Sequence, residues 1–331
     1  MKYIVIPRAD GALLPWYLAA EEYVARKLKE HDECFFMWQV EPTVIFGRNQ
    51  LIENEVNIEY CQKHGIHTFR RKSGGGCVYA DRRNVMFSYI CSGENVQFTF
   101  DSYVRKVAFV LSKLGIPAQA SGRNDILIEG RKVSGNAFYH VPGRSIVHGT
   151  MLYDTNMENM VGSITPSEPK LLSKGVESVR SHIALLKDYI DIDLEGFKQF
   201  IRTNLCDEEI VLPESAESEI ETIMQEYMTD DFIYGRNPRY TIVRKGRIEG
   251  CGDLEIRIEI KNNLIKAANV LGDFFLCGDL DNELLKHLKD VGFTHDAVCK
   301  ALDNIKTEDC IMNLKKEDFI ALLSLEQIPN G

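Results

Sequence analysis

The chain has 331 residues, 44% hydrophobic and 27% charged, with a formal net charge of −10. At about 150 residues per domain this is an ordinary globular composition with room for two domains, and it excludes a mainly disordered, collagenous or coiled-coil chain. The acidic total argues against an extended basic surface for nucleic acid. No apolar run reaches the ~18 residues a membrane helix needs, and Arg8 and Asp10 fall where a signal peptide places its apolar stretch, so the expected location is cytoplasmic. The nine cysteines form no C-x-x-C pair and read as reduced thiols.

In chain order, residues 2–6 read as a strand. Leu13, Tyr17, Ala20, Val24 and Leu28 then recur at helical intervals and predict a core-facing helix, with Pro15 tolerated in its first turn. Residues 35–46 and 77–90 have strand grammar, rich in β-branched and aromatic side chains. A helix is expected over 101–114, stopped by Gly115 and Pro117. Residues 125–128 and 132–138 form a hairpin around 129–131, and 145–153 supply a further strand. Helical spacing returns at Leu194, Phe197, Ile201 and Leu205 and over 214–228. The turn-rich stretch from Tyr234 to Tyr240 marks the boundary region. Strands at 240–243, 253–260 and 264–270 and helices at 282–289, 295–305 and 316–324 complete a compact α+β unit.

Three stretches carry chemistry. The first runs Arg70-Arg71-Lys72-Ser73-Gly74-Gly75-Gly76-Cys77-Val78-Tyr79. Three glycines let backbone amides approach an anion, and the arginines add bidentate donors for carboxylate or phosphate; a solvated surface turn is the competing reading. The pattern is neither a P-loop nor a Rossmann fingerprint. The second, Gly122-Arg123-Asn124-Asp125 followed by Lys132-Val133-Ser134-Gly135-Asn136-Ala137, lies on the hairpin. There Asp125 and Lys132 can converge as an oxygen ligand for Mg2+ and a cation for phosphate, or sit as a solvated pair. The third is His148-Gly149-Thr150, where a structural hydrogen bond by the histidine competes with a functional one.

Taken together with Asn84, the run from Lys174 to Ser181, Tyr234-x-x-Asn237-Pro238-x-Tyr240 and Gly272-Asp273-Phe274-Phe275, these motifs resemble the ordered motif set of lipoate-protein ligases. The resemblance implies an α+β fold: a mixed or antiparallel sheet with flanking helices, like that of biotin ligases, over residues 1–243, and a small α+β accessory domain over 244–331. It implies a two-step reaction in which lipoate and ATP give lipoyl-AMP and pyrophosphate, and a lysine of an acceptor domain then takes the lipoyl group. Carried over position by position, Lys132 is the catalytic residue. Arg71, Gly76, Cys77, Val78, Tyr79 and Lys132 contact ATP, while Ser73, Gly74 and Gly75 form the phosphate loop. Arg71, Lys132 and His148 bind lipoate, and Asp125 holds Mg2+. Residues near Phe46, Val78, Phe138 and His148 are expected to line an apolar slot for the acyl tail.

The sequence departs from the family pattern at Ala80, where a histidine is usual, and at Arg83, where a glycine is usual. Two alternatives stay open at this point: an ATP-independent octanoyl or lipoyl transferase with Cys77 as acyl nucleophile, and an inactive lipoate- or nucleotide-binding protein. The expected partners are the acceptor domains of 2-oxoacid dehydrogenase E2 subunits or the glycine cleavage H protein, met by a monomeric enzyme through a basic face drawn from Arg70, Lys72, Arg82 and Arg83. Neither nucleic acid nor membrane is expected as a partner.

Overall fold

The computed structural model describes residues 1–7, 11–50, 52–93, 96–121, 124–164, 181–234, 242–261 and 264–323. Internal contacts divide the chain into two compact units. The first comprises Met1–Phe46, Ile52–Arg71 and Cys77–Ile233, the second Gly47–Leu51, Lys72–Gly76 and Tyr234–Gly331.

The first unit is built on two sheets. Its strands are β1 (Lys2–Val5), β2 (Glu33–Trp38), β3 (Thr43–Phe46), β4 (His67–Arg70), β5 (Val78–Ala80), β6 (Val85–Ser92), β7 (Ala118–Ala120), β8 (Asp125–Ile128), β9 (Arg131–Val141), β10 (Arg144–Met151) and β11 (Glu208–Val211). Eight of them form a mixed sheet in the order β11-β1-β2-β6-β10-β9-β8-β7. In it β1 runs parallel to both β2 and β11, while the other neighbours are antiparallel. The small sheet has β3 between β4, which is parallel to it, and β5, which is antiparallel.

Both faces of the large sheet are covered. Phe35 and Phe36 are successive on β2 and point to opposite faces, yet both are fully buried. A strand buried on both sides reads as a continuous apolar run, which is what β2 and β6 show in sequence. One cover is α1 (Leu14–Lys27), which opens with Pro15 in its first turn. The other is the helix Val96–Ser112, whose Tyr103 stacks on Tyr89 of β6 at 4.9 Å. Ser88, one residue earlier on β6, instead bonds Glu21 of α1, so the two helices lie on opposite faces. On its far side α1 packs against the helix Ala216–Tyr227, and residues 14–25 of α1 are buried around the whole circumference. Among the described residues no helix is long and apolar enough to cross a membrane.

The β8–β9 hairpin turns through Glu129 (φ 51°) and Gly130 (φ 77°), the two positive φ values of a tight hairpin turn. Strand β9 carries a bulge, because Ile126 faces Ser134 and Leu127 faces Lys132, leaving Val133 as an extra residue.

In the second unit β12 (Ile242–Ile248), β13 (Gly252–Lys261) and β14 (Leu264–Gly272) form an antiparallel sheet in that order. Strand β12 runs further than the sequence suggested, since its charged residues alternate outward with Val243, Lys245 and Arg247 exposed. The helix expected over 282–289 is a π turn, Leu280–Leu284, followed by a 3-10 turn, Leu285–Leu288. Burial of Leu284, Leu285 and Leu288 in the core of this unit accompanies that irregular winding.

Candidate active site

The bulge in β9 decides where Lys132 points. An extra residue changes the side on which the strand presents its side chains, and Lys132 folds back over Gly135. A Cβ placed on Gly135 would lie 2.5 Å from Lys132 Cε and 2.7 Å from Nζ. There the ammonium meets Asp125, directly across from Gly135 on β8, with Nζ 2.9 Å from Oδ1. The two side chains are 37% and 26% exposed, so the pair is open to a ligand. An ion pair this exposed contributes no more than about 1 kcal/mol, and the ammonium can exchange its partner at little cost.

Asp125 is held from below. Its N–H donates to Ser121 Oγ at 2.9 Å, and Ser121 N–H returns to Asp125 O at 2.8 Å. Asn124 and Asn136 exchange amide bonds, each Nδ2 donating to the other's carbonyl at 3.1 Å. Gly149 leaves room for that exchange, because a Cβ there would lie 2.2 Å from Asn136 Oδ1 and 2.6 Å from Gly135 O. The glycines of the Ser134-Gly135-Asn136 and His148-Gly149-Thr150 motifs are therefore steric requirements of one site.

The pairing registers set out that face of the sheet in two rows. Asp125, Gly135, Thr150, Met86 and Trp38 make the first; Ala137, His148, Ser88 and Phe36 make the second. His148 is 4% exposed, and its Nδ1 lies 2.8 Å from Glu21 Oε2. Ser88 Oγ donates to Glu21 Oε1 at 2.6 Å and accepts from Trp38 Nε1 at 2.8 Å. Each oxygen of this fully buried carboxylate thus has a donor, which a buried charge requires. The sequence reading missed Glu21. The available signal was that Glu21 and Glu22 are the only charged residues between Ala12 and Ala25.

Val78 and Tyr79 belong to the small sheet, and Arg71 and Cys77 directly flank its strands β4 and β5. Arg71 is buried, its N–H donating to Phe46 O and its Nη1 to Ile45 O, both at 3.0 Å. Burial lowers the guanidinium to about 10, still charged at neutral pH. Burial also pushes the Cys77 thiol well above its ordinary value, although the Arg71 charge pulls the other way. Tyr79 turns its ring into the core and donates to Asp81 Oδ2 at 3.2 Å. Ser73, Gly74, Gly75 and Gly76 fall in the second compact unit, where Gly75 N–H donates to Phe274 O at 2.8 Å and Ser73 O accepts from Arg48 N–H at 2.9 Å. Gly122, Arg123, the run 174–180 and residues 235–240 lie outside the described residues.

Comparison with known proteins places the chain in a family. Residues 15–206 match the family model of the lipoyl protein ligase A/B catalytic domain, and residues 237–323 match that of the bacterial lipoate protein ligase C-terminus. The chain belongs to the lipoate-protein ligase family. It is 32% identical to lipoate-protein ligase LplJ of Bacillus subtilis over 92% of this chain and 95% of that one. It is equally 32% identical to lipoate-protein ligase 1 of Staphylococcus aureus, over 93% and 95%. Among solved structures, P. falciparum LipL1 in complex with lipoate superposes with a TM-score of 0.73 over 97% of each chain at 19% identity. A lipoate-protein ligase A bound with ATP gives 0.59 over 71% of this chain and 98% of that one at 22%. These likenesses agree with the α+β fold expected from the sequence.

Within this ligase frame two expectations need correction. Phe138 cannot share a slot with His148: it is next to Ala137 on β9, so it faces the other side of the sheet, where it meets Phe100 at 5.4 Å. Arg70 is buried, lying over the Phe46 ring at 4.6 Å and donating from Nε to Ile233 O at 2.9 Å, and offers nothing to a partner's surface. The departures are locally accommodated. Ala80 is fully buried on β5. Arg83 is not among the residues with positive φ and needs no glycine; its N–H donates to Asp81 Oδ1 at 2.9 Å.

Two measurements check this geometry. Gly149→Ala is expected to lose about 1–3 kcal/mol in urea denaturation through overpacking against Asn136, and an unchanged midpoint contradicts the steric account. Because burial raises the Cys77 thiol, its reactive thiolate is scarce at neutral pH and increases only as pH rises. Mass-mapped iodoacetamide labelling of Cys77 should be slow at pH 7.5 and accelerate at pH 9, whereas fast labelling at pH 7.5 would revive a nucleophilic cysteine.

Proposed function

We propose that this chain is an ATP-dependent lipoate-protein ligase, and that Lys132 is its central catalytic residue. The observation that carries the reading is the ammonium of Lys132 poised over Gly135 in an exposed, weak pair with Asp125. A carboxylate is a poor electrophile, so lipoate must become a mixed anhydride before an amine can attack it. One carboxylate oxygen of lipoate attacks the α-phosphorus of ATP, the bond to the β-phosphate oxygen breaks, and pyrophosphate leaves. Lys132 leaves Asp125 for the α-phosphate and the lipoate carboxylate, orienting both and neutralising charge that grows in the transition state. An acceptor lysine, as its free amine, then attacks the acyl carbon and AMP departs.

Arg71 supplies a fixed positive charge beside the backbone of Cys77, Val78 and Tyr79, the stretch we assign to ATP. Ser73, Gly74 and Gly75 are assigned to the phosphates, and for Gly75 N–H to serve there its bond to Phe274 O must open. Asp125, one hard carboxylate oxygen beside Lys132, fits the single protein ligand that nucleotide-bound Mg2+ commonly takes, and that ion would neutralise phosphate charge. No covalent enzyme intermediate is required, and the raised Cys77 thiol disfavours the transferase alternative. We assign residues 1–243 to catalysis and residues 244–331 to an accessory role.

The acceptor is read as a lipoyl domain of the E2 or H-protein kind. Such acidic modules suit a basic face, and of the residues expected there Arg82 and Arg83 are exposed, with Arg82 Nε 2.5 Å from Glu41.

Lipoate-dependent exchange of labelled pyrophosphate into ATP tests the first step. Lys132→Ala should lower it by about 100-fold or more, the scale of a lost transition-state donor. Cys77→Ser should keep it within about threefold, and loss of exchange in Cys77→Ser with retention in Lys132→Ala would reverse the assignment. Charge reversal at Arg82 and Arg83 is expected to raise the acceptor KM about tenfold and leave exchange unaltered, an unchanged KM counting against that docking face.

A further inference from the structure

Lys132 follows directly on the β8–β9 turn, and its backbone lies where the pairing of β9 with β10 runs out. That pairing ends at Ser134 and Met151. Beyond it the carbonyl of the bulge residue Val133 accepts from Leu152 N–H at 2.9 Å, and the carbonyl of Lys132 itself accepts from Ala184 N–H at 2.8 Å. Ile183 forms a parallel bridge with Lys132. The segment 183–190 therefore takes the place that β10 leaves, and it is anchored in turn. Leu186 and Lys187 N–H donate to Leu152 O and Tyr153 O at 2.9 and 3.1 Å, and Lys187 Nζ pairs with Asp154 Oδ1 at 2.8 Å. A bulge interrupts the ladder of its own strand, so these outside bonds hold the stretch that carries Lys132.

The same segment closes on the turn itself. Tyr189 ends the 3-10 turn Leu186–Asp188. Its hydroxyl accepts from Arg131 Nη2 and donates to Glu129 Oε2 at 3.2 Å, and the Arg131 guanidinium lies 6.0 Å from the Tyr189 ring centroid. Glu129, at φ 51°, is one of three non-glycine residues with positive φ among the described residues. A Cβ disfavours that conformation, and such a residue persists where its surroundings hold it. Here the hold is the Tyr189 hydroxyl.

We propose that Tyr189 is a positioning residue for the adenylation step: by tying Glu129 and Arg131 together across the turn, it fixes the backbone of Lys132 and so the place of the ammonium over Gly135. The proposal rests on the reading of Lys132 as the catalytic lysine. The side chains of Arg131 and Glu129 are 40% and 62% exposed, so the network adds little to overall stability. Its effect falls on geometry, where a shift of about 1 Å at a reacting group costs about 100-fold in rate.

The test is Tyr189→Phe in the full chain, alone and combined with Lys132→Ala, read in lipoate-dependent pyrophosphate exchange. Phenylalanine keeps the ring and removes the hydroxyl that both hydrogen bonds use. The kcat of exchange should fall about tenfold with the KM values for lipoate and ATP within about twofold, the split expected when a group that acts in the transition state is displaced. The urea midpoint should stay at the wild-type value. In the Lys132→Ala background the same substitution should cost less than about twofold, because Tyr189 acts through that lysine. Arg131→Lys, which keeps one donor for the hydroxyl, should retain more exchange than Arg131→Ala. A wild-type kcat in Tyr189→Phe, a loss confined to KM, a loss explained by a smaller folded fraction, or a full tenfold loss in the Lys132→Ala background overturns the proposal. Wild-type exchange in Lys132→Ala, or a wild-type enzyme without lipoate-dependent exchange, would instead overturn the ligase reading on which the proposal rests, so the two failures are told apart.

Discussion

The position of Lys132 exists only because residue 135 has no side chain. The bulge at Val133 turns the lysine toward the face where Asp125 waits, and Gly135 leaves the volume its Cε and Nζ occupy. Gly149 permits the Asn136–Asn124 amide exchange that holds the backbone just ahead of Asp125. One missing Cβ makes space for the cation, and the next steadies its counter-ion. Both follow from close approach of backbone and side chain rather than from a need for flexibility.

Two electrostatic arrangements of opposite character share this sheet face. The Lys132–Asp125 pair is a third exposed and worth at most about 1 kcal/mol, which suits the partner change we propose for that cation. The Glu21–His148 pair is sealed, and removing His148 leaves one oxygen of a buried carboxylate without its donor, at a cost of about 1–3 kcal/mol or more. The first can move and the second cannot. The two pairs lie in rows two residues apart along neighbouring strands, so a labile ion pair adjoins a rigid one on the same sheet face.

Much of this was legible in the chain. The alternation of β9 and β10, the hairpin at Glu129-Gly130 and the convergence of Asp125 with Lys132 follow from local turn and strand chemistry. The helix pattern through Tyr17, Ala20 and Val24 located α1 but gave no place to Glu21 and Glu22, since periodicity does not reveal that a second helix covers the polar side. Phe138 was placed in the wrong layer because a strand buried on both faces gives no sign of which side any one aromatic takes. The π turn at Leu280–Leu284 escaped for a related reason: its leucines carry helical spacing, and burial in the core selects the winding.

The most direct test of the account is the rate of lipoate-dependent pyrophosphate exchange in Gly135→Ala, with folding verified by circular dichroism. A methyl at this position must expel the Lys132 ammonium from its place beside Asp125. The account predicts a folded protein whose exchange falls by about 100-fold, the scale expected for displacing a catalytic group by 1 Å. A folded Gly135→Ala protein with wild-type exchange would contradict it.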